Sequence, residues 1–114
     1  FYVVSNHKQG FIRAWHAHKI ESKYVFIVSG TALISTVQID NWDNPSNDLT
    51  VDKFVLTAKK PSILYIPSGY ANGFKTLSTE TKIIFFSTST LKDSIDDDYR
   101  YDAHKWNPWE ITER

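Results

Sequence analysis

The chain contains no cysteine. A disulfide framework, a thiolate metal site and a thiol nucleophile are therefore all excluded, and a reducing compartment such as the cytoplasm is the expected location. Methionine is absent too, and the sequence opens on Phe1; a native segment ahead of that residue is expected to be missing. Neither charge sign prevails. Thirteen Lys and Arg balance thirteen Asp and Glu, with a pI of about 7.1, so a general nucleic-acid-binding surface is not expected. A local basic pocket for one small anion is still allowed. No apolar run approaches the roughly 18 residues of a membrane span, no signal peptide is visible, and no internal repeat is evident.

Apolar and aromatic residues are plentiful. They make up 41% and 15% of 114 residues, enough for one folded domain with its own core. Short runs rich in Val, Ile, Thr, Tyr and Phe, bounded by Gly, Pro, Asn and Ser, predict eight strands. They fall at Phe1–Val4, Phe11–His18, Tyr24–Val28, Thr31–Ile39, Phe54–Thr57, Ser62–Ile66, Ala71–Leu77 and Lys82–Ser87. That spacing predicts an all-β sandwich or small barrel. The polar stretch Asp40–Lys53, with Asn44-Pro45 as a turn signal, predicts a surface loop. From Leu91 onward, acids are mixed with Tyr99, Tyr101, Trp106 and Trp109. A tail carrying two tryptophans is expected to pack back on the sandwich, or on a second subunit.

The residues with the most chemistry lie in "FIRAWHAHKIESKYVFIVSG". On a strand, residues two apart share a face. His16 and His18 therefore point one way and Trp15 and Ala17 the other, with Arg13 beside Trp15 unless a bulge shifts it. Two imidazoles suit metal binding, proton transfer or plain hydrogen bonding.

The stretch resembles the first motif of the cupins: Gly10, five residues, His16-Ala17-His18, and a closing Gly30. Lys23 occupies the position of that motif's glutamate. The second cupin motif corresponds to Pro67-Ser68-Gly69-Tyr70-Ala71-Asn72, with Asn72 replacing its histidine. Two of four family ligands are thus replaced, one by an ammonium that has no lone pair while protonated; Glu21 is close by but two residues out of register. The resemblance implies no bound metal and no cofactor. Metal-free cupins of the RmlC type, the nucleotide-sugar epimerases and ketoisomerases, are more similar still. "PSGYANGFKTLS" (67–78) resembles the epimerase signature, and "RAWHAHK" (13–19) resembles that of the 3,4-ketoisomerases.

That resemblance implies a cupin jelly roll over residues 1–114, with the tail packed back. It also implies an isomerase or epimerase acting on a nucleotide-linked 4-keto-6-deoxy sugar in polysaccharide biosynthesis, working as a homodimer without nucleic acid or membrane. In it, His16 is the base that removes a proton beside the ketone, and His18 is a second imidazole. Lys23 stabilises the enolate or binds a phosphate, Arg13 holds the diphosphate, and Tyr70 and Asn72 contact substrate. Phe85 stands where the 3,5-epimerases have a proton-donating tyrosine. Keto-isomerisation or epimerisation at a single centre is therefore expected over double epimerisation. Two alternatives remain: a catalytically silent sugar-nucleotide-binding domain, and a metal cupin.

Overall fold

The computed structural model describes residues 1–90 and 95–110. Nine strands are present among them: β1 (Tyr2–Asn6), β2 (Ile12–Ala17), β3 (Lys23–Ser29), β4 (Thr31–Gln38), β5 (Val51–Thr57), β6 (Ile63–Ile66), β7 (Tyr70–Thr76), β8 (Thr81–Ser87) and β9 (Tyr99–Arg100). They form two antiparallel sheets, in the orders β1-β8-β3-β6 and β5-β4-β7-β2-β9. The architecture is the expected all-β cupin sandwich, with no helix among the described residues.

Three local expectations need correction. The first strand begins and ends later than its apolar run, because Ser5 and Asn6 also pair with β8. Val51-Asp52-Lys53, expected in the loop, instead opens β5, where cross-strand bonds to β4 outweigh their polar character. A ninth strand, only two residues long, pairs with the free edge of β2.

Alternation explains the core. Val25 and Ile27 of β3, Ile83 and Phe85 of β8, Ile34 of β4 and Phe74 of β7 face one another between the sheets. The five-stranded sheet is covered on its other face as well. There Trp15, Ala17, Leu33, Val37 and Ala71 pack with Trp106 and Trp109 of the tail. Burial on both faces is why six consecutive residues of β4, Ala32 to Val37, are all buried. The rings of Trp106 and Trp109 lie 5.5 and 5.1 Å from Trp15, and the Trp109 carbonyl accepts a 2.7 Å bond from Lys75 Nζ. The tail over 95–110 thus packs on its own sandwich, as one of the two expected arrangements; residues 91–94 and 111–114 lie outside the described residues.

Two glycines make this geometry possible. Gly30, in the β3–β4 turn, has φ of 80°, and a Cβ there would come within 2.6 Å of Thr81 Oγ1. At Gly73 on β7, a Cβ would come within 2.4 Å of the Ala14 Cβ and 3.1 Å of the Trp109 ring. The bare backbone of Gly73 lets both β2 and the tail approach.

Candidate active site

Residues of both sheets line a half-open cavity of about 380 Å³. From the five-stranded sheet, Arg13, His16, Asn72, Phe74 and Arg100 line it; from the four-stranded sheet come Tyr2, Val4, Lys23 and Phe85. His18, Glu21, Ile95 and Asp98 complete the wall.

Each side chain reaches the cavity for a local reason. Lys23 continues the inward row Val25–Ile27 one step beyond the apolar core, so its buried chain ends in the opening. Asn72 does the same ahead of Phe74 on β7. Arg13 and His16 share the cavity because of a bulge. Arg13 pairs with Phe74 and His16 with Asn72, so three steps on β2 match two on β7. This corrects the regular-strand expectation that Arg13 lies beside Trp15: the extra residue turns Trp15 to the outer face while Arg13 and His16 face inward together. His16 and Asn72 are direct cross-strand partners, and Asn72 Nδ2 donates to the His16 carbonyl at 3.2 Å. Arg100, opposite His16 on β9, and Asp98 were not anticipated as site residues.

A chain of polar contacts crosses the floor. The His18 Nδ1–H donates to the Asp97 carbonyl at 2.5 Å, and its Nε2 lies 3.1 Å from Glu21 Oε2. With Nδ1 protonated, that second contact is favourable only if one more proton is held between imidazole and carboxylate. Glu21 also accepts from Ser87 Oγ and lies 3.8 Å from Lys23 Nζ. Lys23 Nζ in turn donates to the Tyr2 hydroxyl at 3.2 Å. The Asp97 carboxylate accepts from the backbone N–H groups of Lys19, Ile20 and Glu21. Burial raises its pKa, but those bonds outweigh burial and hold it below the usual carboxylate value. Asp97 thereby fixes the turn that brings Glu21 inward. Strand register could not foresee this, because residues 18–22 lie between β2 and β3.

The electrostatics centre on His16. Burial, then the charges of Arg13, Arg100 and Lys23, lower its pKa from 6.5 to about 4, against a smaller opposing effect of Asp98. The ring is therefore neutral at physiological pH, with a lone pair available to accept a proton. Tyr70 is a further correction. It points inward on β7 but packs against the apolar core and lines a separate depression near Asp40 and Asp52, away from His16. Two residues along a twisted strand carry it past Asn72, beyond reach of the cavity. Among the described residues, no three His, Asp or Glu side chains are grouped to hold a metal ion.

The model of the dTDP-4-dehydrorhamnose 3,5-epimerase family matches residues 2–111. The chain belongs to the dTDP-4-dehydrorhamnose 3,5-epimerase family. Solved structures similar to it include dTDP-4-dehydrorhamnose 3,5-epimerase from Bacillus anthracis, crystallised with TDP and pyrophosphate (TM-score 0.78, 23% identity, covering 98% of this chain and 65% of that one). The capsular polysaccharide assembling protein CapF of Staphylococcus aureus is also similar (0.72, 21%, 86% and 26%). So is NovW, a 4-keto-6-deoxy sugar epimerase of Streptomyces spheroides (0.72, 18%, 87% and 49%). This epimerase-family chain spans less than two thirds of the length of each. At these identities the likeness establishes the shared fold. No curated protein sequence matches.

Proposed function

We propose that the chain is an isomerase or epimerase of a nucleotide-linked 4-keto-6-deoxy sugar, with His16 as the base. The observation that carries this reading is the neutral His16 facing a half-open cavity ringed by three cations. A proton beside a ketone leaves only if its carbanion is stabilised as an enolate. The buried Lys23 ammonium is suited to that oxygen. Arg13 and Arg100 are exposed, which suits them to a diphosphate arriving from solvent. A diphosphate would also offset two of the charges that depress His16, raising its basicity when substrate is bound. His18 is held by Asp97 and Glu21, a positioning arrangement for the cavity floor, and Asn72 braces the His16 backbone.

The reaction needs no metal or cofactor on this reading, since Lys23 supplies the electrophile. A nucleotide-sugar substrate agrees with a cytoplasmic location and with the name of the capsule-assembling relative, which supports a role in polysaccharide biosynthesis. Dimerisation is part of the proposal. The outer face of the four-stranded sheet exposes Phe1, Val3, Tyr24, Val28, Ile63, Tyr65 and Phe86, an apolar surface of the kind a second copy covers. Incubation with a dTDP-linked 4-keto-6-deoxyhexose in deuterated water tests the activity. Deuterium should enter a carbon next to the ketone. Binding without any exchange would instead favour the silent binding domain, a reading consistent with the unreactive Phe85 in the cavity wall.

A further inference from the structure

The cavity has two walls built from different sheets, and His16 accounts for proton transfer on one of them only. A proton taken by His16 leaves from the face of the sugar toward the five-stranded sheet. Among the described residues lining the cavity, a single side chain bears a hydroxyl: Tyr2 on β1, in the opposite sheet. Its position is fixed. Tyr2 is the cross-strand partner of Phe85, and their rings stack at 5.0 Å between centroids with an interplanar angle of 14°. Tyr2 and Val4 face inward while Val3 faces out, so the phenol is turned toward the cavity by strand alternation. Lys23 Nζ donates to the Tyr2 oxygen at 3.2 Å. An ammonium can only donate, so the phenol's own proton is not engaged in that bond, and Tyr2 lines the cavity.

We infer that Tyr2 is the proton donor that completes the proposed reaction, returning a proton to carbon from the wall opposite His16 and so inverting that centre. This rests on the enolisation reading given above. His16 takes the C–H proton; the C–H electron pair becomes the C=C bond, and the carbonyl π pair moves onto oxygen beside Lys23. The enolate then collapses to the ketone as its carbon takes the Tyr2 proton on the other face. The Tyr2 phenolate recovers a proton from Lys23, which regains one from solvent, and the His16 imidazolium releases one to solvent. Nothing is oxidised or reduced, and no co-reactant is needed. The other ionisable groups on that side serve less well: Lys23 faces the enolate oxygen, and Glu21 is held by Ser87 and His18. Phe85 itself cannot donate a proton, but its cross-strand neighbour can. The hydroxyl comes from the neighbouring strand.

Tyr2→Phe keeps the ring that stacks on Phe85 and removes only the hydroxyl. In deuterated water with a dTDP-linked 4-keto-6-deoxyhexose, the native protein should give a deuterated, inverted product. Tyr2→Phe should still exchange the proton that His16 removes, because His16 can return deuterium on its own face, while inverted product falls at least about 100-fold. Moving the hydroxyl across the stack in Tyr2→Phe/Phe85→Tyr should restore part of the inversion, which a merely structural role for Tyr2 would not produce. If Tyr2→Phe inverts at the native rate, or if the native product is deuterated with retained configuration, Tyr2 is not the donor, although the enolisation reading stands. If the native protein exchanges nothing, the enolisation reading fails and the Tyr2 assignment falls with it.

Discussion

Lowering the pH is the perturbation that most sharply separates His16 from an ordinary histidine. Burial and the cations Arg13, Arg100 and Lys23 lower its pKa to about 4. At pH 5 such a group is about nine-tenths neutral, whereas a histidine at 6.5 would be only about 3% neutral, a difference of about 30-fold in available base. Ring-proton NMR shifts of the four histidines, followed from pH 8 to 4 and assigned with His16→Asn, read this directly and need no substrate. Adding dTDP should move the midpoint upward, since its phosphates offset Arg13 and Arg100. The same shift has a stability consequence. The folded pKa lies below the unfolded one, so between about pH 6.5 and 4 the unfolded chain binds more protons and stability falls as the pH drops. The full 2.5-unit shift would correspond to about 3 kcal/mol; allowing for solvent reaching the half-buried ring, about 2 kcal/mol is expected. His16→Asn should flatten that part of a urea-denaturation profile. Asp97, whose pKa is also lowered, acts with the same sign but in a lower pH window. Its contribution is present above about pH 4 and is lost below it, so the two windows separate. A His16 midpoint near 6.5 in the free protein would refute this electrostatic reasoning.

Three further outcomes follow from the packing and the site. Gly73→Ala should lower stability by about 1–3 kcal/mol and loosen the tail, because the new methyl meets Ala14 and Trp109; thermal denaturation and tryptophan fluorescence check both. Glu21→Gln removes the anion between His18 and Lys23 and should cost about 3–5 kcal/mol, as expected for a buried charge left unpaired, measured by chemical denaturation. Tyr65→Lys/Phe86→Glu charges the exposed apolar sheet face and should convert dimer to monomer in light scattering at micromolar concentration; a native protein that is already monomeric would contradict the dimer.

Much of this molecule was legible in its sequence where one-dimensional pattern and structure coincide. Runs such as Tyr24–Val28 and Lys82–Ser87 alternate because one face is buried, and the spacing of His16, Lys23, Gly30 and Asn72 reflects two motifs whose strands line one cavity. What escaped depends on geometry that no pattern encodes. The bulge that turns Arg13 inward arises from pairing with β7. Glu21 reaches the cavity through a turn tied by Asp97, 76 residues away. The two residues of β9 are too few for an alternation signal, yet they deliver Arg100. Tyr2 looked like one apolar strand residue among four, and only its pairing with Phe85 brings its hydroxyl to the site. Tyr70 erred in the opposite direction, since a motif position suggested contact where β7 carries the ring past the cavity.

The most direct test of the account is proton exchange at the carbons flanking the ketone of a dTDP-linked 4-keto-6-deoxyhexose, followed by NMR in deuterated water with native protein and His16→Asn. Native protein should incorporate deuterium, at a rate that falls about 100-fold or more in His16→Asn while dTDP binding persists. Native-rate exchange by His16→Asn would contradict it.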